Sequence, residues 1–298
     1  MKVDGKKLAQ SILTYLKKDV TSIKRQGKIK PPKLVIFSVR PAQATESFMK
    51  YKAEAANKVG ARFELILYRK TPRFEDFANR VKEVAENPET TGVVIQHPLP
   101  ASLTTVTLLD YIPMEKEIEG FKKKSIFDEP IGLAVLTVFK HIFDPKEHKT
   151  ASDILIDLKK DLVIFKRSFK RKRVVLLGRG KTGGEPIGKI LAKAKINYIN
   201  LNSQSSSAGS FIQQADVIIS AVGQTVVIPD MVKEGAILVS VGMHRENGLW
   251  KGDYDESSIK NKVLAYTPTP GGIGPLNVAY LMNNLILAWK VQNNFLKL

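Results

Sequence analysis

The sequence predicts an α/β protein of two domains, each built on a parallel sheet, and three observations carry that reading. Strand-like apolar runs alternate with helical periodicity in two successive series. The chain has 298 residues, a length that suits two domains. A glycine-rich stretch, "VVLLGRGKTGGEP" (174–186), joins a buried strand to a helix at the start of the second series.

Taken in order, "MKVDGKKLAQSILTYLKK" places Leu8, Ile12 and Leu16 on one helical face among lysines, without an apolar signal core. It reads as an amphipathic helix of the mature protein. "KLVIFSV" (33–39) is a strand, "ATESFMKYKAEAANKVG" (44–60) a helix closed by Gly60, and "RFELILY" (62–68) the next strand. The helix "RFEDFANRVKEVAEN" and the strand "GVVIQ" (92–96) continue the alternation, giving a first domain over 1–149. A helix over about 150–165 then leads into "RVVLL", "NYINL", "DVIISAVG" (216–223), "AILVSVG" (236–242) and "VLAYTP" (263–268), a Rossmann-type series over 150–269. "TPTPGGIGP" (267–275) is too rich in proline and glycine for helix or strand and reads as a shaped loop. The last helix, "LNVAYLMNNLILAWKVQ", is apolar on more than one face and is expected to pack back on the first domain.

The glycine stretch admits two chemistries. Gly180-Lys181-Thr182 resembles the end of a P-loop, whereas Gly178, Gly180 and Gly183 spell the dinucleotide pattern. A P-loop requires glycine where Val175 stands, inside the strand, so the dinucleotide reading prevails. About twenty residues on, where an NAD site places an acid for the ribose, the chain reads Leu201-Asn202-Ser203-Gln204-Ser205-Ser206, with no carboxylate. Arg179 and these polar residues favour a 2′-phosphate, and hence NADP over NAD.

Composition closes other routes. There is no cysteine, which excludes disulfides, thiolate metal sites and a cysteine nucleophile. The histidines at 97, 141, 148 and 244 form no ligand-spaced cluster, so no metal is expected. No run of about eighteen apolar residues is present, and the chain reads as cytoplasmic. The net charge of +18 concentrates in 121–125 and 159–173. Without interleaved aromatics or a nucleic-acid module, this reads as a solvated basic surface and not as a nucleic-acid interface.

Several stretches together resemble the FolD family, the bifunctional methylenetetrahydrofolate dehydrogenases and methenyltetrahydrofolate cyclohydrolases. Asp4-Gly5-Lys6-Lys7-Leu8-Ala9 is similar to the family's opening, "GVVIQHPLP" (92–100) to its G-[IV]-x-V-Q-L-P-L-P, and "GRGKTGGEP" (178–186) to its G-R-S-x-x-V-G-x-P. "ADVIISAVG" (215–223) and "PTPGGIGPLN" (268–277) match two further family patterns in the correct order. The resemblance implies an N-terminal folate-site domain to which 270–298 return, and a C-terminal NADP-binding domain. It also implies a folate cleft between them and a homodimer joined through cofactor-domain surfaces. Hydride would leave 5,10-methylenetetrahydrofolate for NADP, and water would open the methenyl product to 10-formyltetrahydrofolate.

The same resemblance implies Lys52 as the catalytic amine, although by composition alone it is one of several helical lysines. It adds Gln96 beside that lysine, and Glu119 as the carboxylate that pairs with the pterin. Phe48, Pro98, Pro270, Gly271 and Gly272 would line the folate. Gly178, Arg179, Gly180, Gly183, Gly184, Asn202, Ser203, Val222, Gly223 and Gly242 would hold the cofactor.

This chain departs from the family at Phe48, where a tyrosine hydroxyl is missing, a loss of about 1.5–3 kcal/mol for a hydrogen bond to a charged group. Tyr51, three residues on, is expected to supply the hydroxyl instead. Glu119 is one methylene longer than the family aspartate, His97 replaces leucine and Gly180 replaces serine. The family's P-C-T-[PA] aligns with His148-Lys149-Thr150-Ala151 after an insertion. Three readings follow: a bifunctional enzyme, a homologue with one of the two activities, and a noncatalytic NADP- or folate-binding protein.

Overall fold

Strand β1 (Lys33–Val39) is buried from its second residue to its last, as a strand with five Leu, Val, Ile and Phe residues in seven must be at the centre of a covered parallel sheet. The computed structural model, which describes residues 1–27, 29–145 and 150–296, divides into two compact units. Met1–Ile12 with Ile131–Asn277 form one, and Leu13–Pro130 with Val278–Leu298 the other.

Helix α1 (Gly5–Gln26) starts where the Asp4 side chain accepts the Lys7 N–H at 2.9 Å, an N-cap bond. In the unit that follows, α2 (Gln43–Val59) ends at Gly60, whose φ of 82° closes the helix in the left-handed region. Strand β2 (Arg62–Tyr68), helix α3 (Phe74–Glu86) and strand β3 (Gly92–Ile95) complete a parallel sheet of order β2-β1-β3. Phe77 and Val81 of α3 pack on Val35 and Phe37 of β1, with the Phe37 and Phe77 rings edge to face at 5.8 Å.

In the other unit, Met1–Ile12 are followed by α4 (Pro130–Phe143), α5 (Ala151–Ile154), α6 (Leu162–Phe169), β4 (Val174–Leu177), α7 (Gly184–Lys193) and β5 (Ile199–Leu201). Helix α8 (Ala208–Gln213), strands β6 (Val217–Ser220) and β7 (Ile237–Ser240), the β8 (His244–Glu246) and β9 (Leu249–Lys251) hairpin, α9 (Glu256–Ile259) and β10 (Ala265–Tyr266) complete it. Its sheet is parallel in the order β10-β7-β6-β4-β5. The last helix, α10 (Ile273–Gln292), passes from this unit into the first at Val278.

The α/β class and the two-domain organisation are those read from the sequence, but details differ. The chain divides at 130/131, not 149/150, because α4 packs on the five-stranded side. Gly132 leaves no room for a Cβ beside Ile190, and Lys140 pairs with Asp161 at 2.8 Å, both side chains buried. The N-terminal residues extend the same sheet, with Val3 N–H donating to Tyr266 O at 2.9 Å. The helix expected over 150–165 is broken between α5 and α6. There the Asp157 carboxylate accepts the N–H groups of Lys159 and Lys160 and the Asp161 carboxylate accepts that of Asp157, a local turn that competes with helix.

Residues 270–277 belong to the five-stranded unit, while 278–292 pack back on the three-stranded one through Asn284, Trp289 and Gln292. Helix α10 starts inside the expected loop, with Pro275 in the first turn, where its missing N–H costs nothing. His148 and Lys149 lie outside the described residues. Thr150 caps α5, with its N–H bonded to Asp153.

Candidate functional site

Helix α2 sets Phe48 and Lys52 one turn apart on one face. Composition alone reads Lys52 as solvated, but it is 3% exposed, because that face turns towards the carboxyl end of β3. Its Nζ donates to Gln96 Oε1 at 3.0 Å, lies 3.7 Å from Glu119 Oε1 and stands 5.2 Å from the centre of the Phe48 ring. Gln96 is placed by the strand, since its N–H donates to Phe37 O at 2.8 Å. Its side-chain Nε2 donates to His97 O at 2.8 Å, which directs the oxygen at Lys52. Glu119 hangs on a sharp turn in which its own N–H donates to Glu117 Oε1 at 3.0 Å and Gly120 takes φ 79° against Glu129 and Phe127.

Burial dominates the electrostatics. It pushes the Lys52 amine below its usual value, against the opposing pull of Glu119. It pushes the Glu119 carboxyl up to about 7, opposed by the Lys52 charge and reinforced by Glu117. Glu117 is itself raised by burial, with N–H donors from Lys122, Glu119 and Phe121 pulling the other way. An amine and a carboxyl whose proton affinities have moved towards each other, in contact, form an acid/base pair suited to chemistry near neutrality.

Tyr51 does not join this group. It is 61% exposed, on a different face of α2 from Lys52, so it cannot stand in for the missing hydroxyl, and the Phe48 ring itself covers the amine. Pro98 follows Gln96 and His97 through a cis peptide bond. The His97 ring meets Phe121 edge to face at 6.5 Å. Pro270, Gly271 and Gly272 belong to the five-stranded unit and Lys52 to the three-stranded one. Their loop is tied by Lys6 N–H to Gly271 O at 2.9 Å. It is also closed by Gly272, where a Cβ would stand 2.6 Å from Pro268 O.

The glycine turn is built as its pattern requires. Gly178 has φ 102°, and a Cβ on Gly184 would stand 2.1 Å from Gly178 O. Only glycine lets helix α7 approach the strand end so closely. A Cβ on Gly183 would stand 3.3 Å from that of Ala221, whereas Gly180 faces open space. The Arg179 guanidinium is held at the end of β5, donating to Asn200 O at 3.0 Å. Asn202 folds its loop on itself, its side chain accepting the Gln204 N–H at 3.0 Å, and leaves Ser203 exposed. Val222, Gly223 and Gly242 sit beyond the carboxyl ends of β6 and β7, with Gly223 at φ 79°.

Three residues were missed by sequence reasoning. Glu117 carries a weak signal, two positions before Glu119 on the same turn. Asn284 donates to Ile118 O at 2.9 Å and Asp128 O at 3.0 Å, bracing the turn that bears Glu119 from α10. Asp253 is wholly buried beneath the loop after β6. The last two act over long sequence separations and left no local signal.

Comparison with known proteins gives a consistent result. Residues 3–119 match the family model "Tetrahydrofolate dehydrogenase/cyclohydrolase, catalytic domain", and residues 158–293 match its "NAD(P)-binding domain". The bifunctional protein FolD of Staphylococcus aureus is 32% identical over 292 residues, covering 97% of this chain and 96% of the relative. The crystal structure of the bifunctional FolD of Campylobacter jejuni superposes with a TM-score of 0.83 at 25% identity, covering 99% of both chains. That of Trypanosoma brucei FolD, complexed with NADP cofactor and inhibitor, gives 0.78 at 22% identity, with 98% and 97% covered.

Proposed function

This chain belongs to the tetrahydrofolate dehydrogenase/cyclohydrolase family, and on that premise we propose that it catalyses two consecutive steps of one-carbon chemistry. It oxidises 5,10-methylenetetrahydrofolate to the 5,10-methenyl form and hydrolyses that product to 10-formyltetrahydrofolate. The observation that carries the reading is the buried Lys52 amine held between Gln96 and Glu119.

In the hydrolytic step a water adds to the electron-poor methenyl carbon, and the bond from that carbon to N5 breaks. Lys52, with its proton affinity lowered by burial, takes one proton of the adding water and returns it to N5 as it leaves, and the remaining hydroxyl proton departs to solvent as the formyl C=O forms. Gln96 keeps the amine aimed, because its oxygen accepts from Nζ while its nitrogen is spent on His97. Glu119 balances the charge that Lys52 acquires and presents acceptor oxygens to the donor edge of the pterin. Phe48 and Pro98 bound this site with apolar surface; for Pro270, Gly271 and Gly272 a substrate contact rests on the family resemblance of their loop alone.

NADP, when bound, supplies the hydride acceptor for the oxidation. The residues present fit it: Gly178, Gly183 and Gly184 let α7 start hard against the end of β4 and the residue after β6, so the N-terminus of that helix stands at the sheet end where a pyrophosphate binds. Arg179, anchored by Asn200, stands beside the carboxylate-free stretch that begins at Asn202 and Ser203, which suits a 2′-phosphate. Gly180 adds an open backbone position, and Val222, Gly223 and Gly242 form the sheet-end surface. A homodimer formed through the same unit suits its terminal strand β5, where Ile199 is 42% exposed. A cysteine-free chain suits the reducing cytoplasm. No described helix is long and apolar enough to cross a membrane.

The test follows 5,10-methylenetetrahydrofolate with NADP+ or NAD+ by absorbance, separating NADPH formation from loss of the methenyl intermediate. Wild type is expected to reduce NADP+ and clear the methenyl product, and Lys52→Ala to let it accumulate. Absence of reduction with either dinucleotide refutes the dehydrogenase. A second reading, a dehydrogenase without efficient hydrolysis, is favoured by Phe48, which covers Lys52 without offering a hydroxyl. Persistent methenyl product with the wild type selects it.

A further inference from the structure

Asp253 belongs to neither the glycine turn nor the Lys52 site, yet it is 0% exposed and engaged through every polar atom. Its Oδ2 accepts the Ser220 hydroxyl at 2.6 Å and the Val222 N–H at 3.0 Å, and its Oδ1 accepts the Gly223 N–H at 2.9 Å. Its own N–H donates to Ser240 Oγ at 2.9 Å, and its carbonyl accepts the N–H groups of Val226 and Val227. Ser220 and Ser240 are the final residues of β6 and β7, paired in register. One residue therefore joins the carboxyl ends of two neighbouring parallel strands, the edge at which open α/β sheets bind ligands.

The packing is equally particular. A Cβ on Gly242 would stand 2.3 Å from Asp253 Oδ1 and 2.3 Å from Gly223 N, so the carboxylate occupies the space that any side chain at 242 would need. A carboxylate is costly to bury unless it is fully hydrogen-bonded, and here the satisfying donors come from the loop itself. The N–H groups of Val222 and Gly223 point inward and are spent. What the loop offers outward is its opposite edge, with Val222 38% exposed and Gly223 at φ 79°.

We propose that Asp253 is the positioning residue of the cofactor edge, holding 221–223 in the one backbone arrangement that receives the nicotinamide dinucleotide. This rests on the NAD(P)-binding reading of the domain. Asp253→Asn keeps the shape but replaces one acceptor oxygen with a donor that faces N–H or O–H groups. NADP+ affinity, measured by titration calorimetry, is expected to weaken about a hundredfold in Asp253→Asn and about tenfold in Ser220→Ala, as for hydrogen bonds to a charged group. Methenyl hydrolysis, which needs no dinucleotide and belongs to the Lys52 unit, is expected to keep its kcat and KM. Amide hydrogen exchange at Val222 and Gly223, slow in wild type, is expected to accelerate in both variants.

Unchanged NADP+ affinity in a folded Asp253→Asn overturns the proposal. If that variant does not fold, unchanged affinity in Ser220→Ala does so. If wild type binds no NADP+, the cofactor reading falls instead, and fast exchange at Val222 and Gly223 in wild type then separately overturns the positioning role.

Discussion

Lys52 Nζ and Glu119 Oε1 lie 3.7 Å apart, with their side chains 4% and 18% exposed. The separation is that of an ion pair rather than a short hydrogen bond, and both groups are moved towards their neutral forms by the same burial.

That relationship makes stability depend on pH with a definite sign. Glu119 titrates in the folded state at about 7 instead of 4.5, so between those values the folded chain holds a proton that the unfolded chain has lost. Its contribution to stability is fully present below the unfolded value and is lost as pH rises through the folded one. Denaturant unfolding at about pH 5 and about pH 8 is expected to show wild type losing stability relative to Glu119→Gln on going to the higher pH. Parallel changes in the two proteins would refute the raised carboxyl.

Phe48 presents a ring to the amine at 5.2 Å, at the position where the family resemblance implies a tyrosine. Phe48→Tyr keeps the ring and adds a hydroxyl partner for Lys52, expected to raise the methenyl hydrolysis rate about tenfold, the scale of one charge-assisted hydrogen bond. Stopped-flow decay of the methenyl chromophore reads it directly. A rate no higher than wild type would mean that the hydroxyl is not what limits this chain.

Two glycines of the same turn are expected to behave oppositely. Gly184→Ala sets a methyl 2.1 Å from Gly178 O, an overpacking that costs about 1–3 kcal/mol and should raise the KM for the dinucleotide. Gly180→Ser, with nothing within 4 Å, is expected to leave stability within about 0.5 kcal/mol. Thermal unfolding of the pair decides, and equal losses would show that the turn is not held by that close approach.

Asn284 braces two backbone carbonyls from α10. Asn284→Ala leaves both without that donor, a loss of about 1–3 kcal/mol. It should also loosen the turn bearing Glu119, so the KM for folate should rise more than kcat falls. A stability loss without a change in KM would confine Asn284 to a structural role.

Much of the fold was legible because its determinants are local. Gly60 marks the end of α2 through its left-handed φ, and the apolar run 33–39 could only be a covered strand. The helix expected over 150–165 is broken for an equally local reason: Asp157 and Asp161 satisfy backbone N–H groups that a helix would otherwise use. The division at 130/131 was not legible, because Gly132 betrays its role only once Ile190 lies against it.

The site divides in the same way. The glycine turn announced itself, since φ at Gly178 and the missing Cβ at Gly184 are requirements on single residues. Lys50 and Lys52 are identical in type and two positions apart on one helix, yet the first is exposed and the second buried. Tyr51, between them, points to solvent. By itself the sequence determined the alternating elements and the glycine turn, and its resemblance to the family singled out Lys52, Gln96 and Glu119. Only the tertiary structure decided which of these side chains lose water and which distant partners, Asp253 and Asn284 among them, hold the loops in place, because desolvation and long-range hydrogen bonds depend on residues that the chain brings together only on folding.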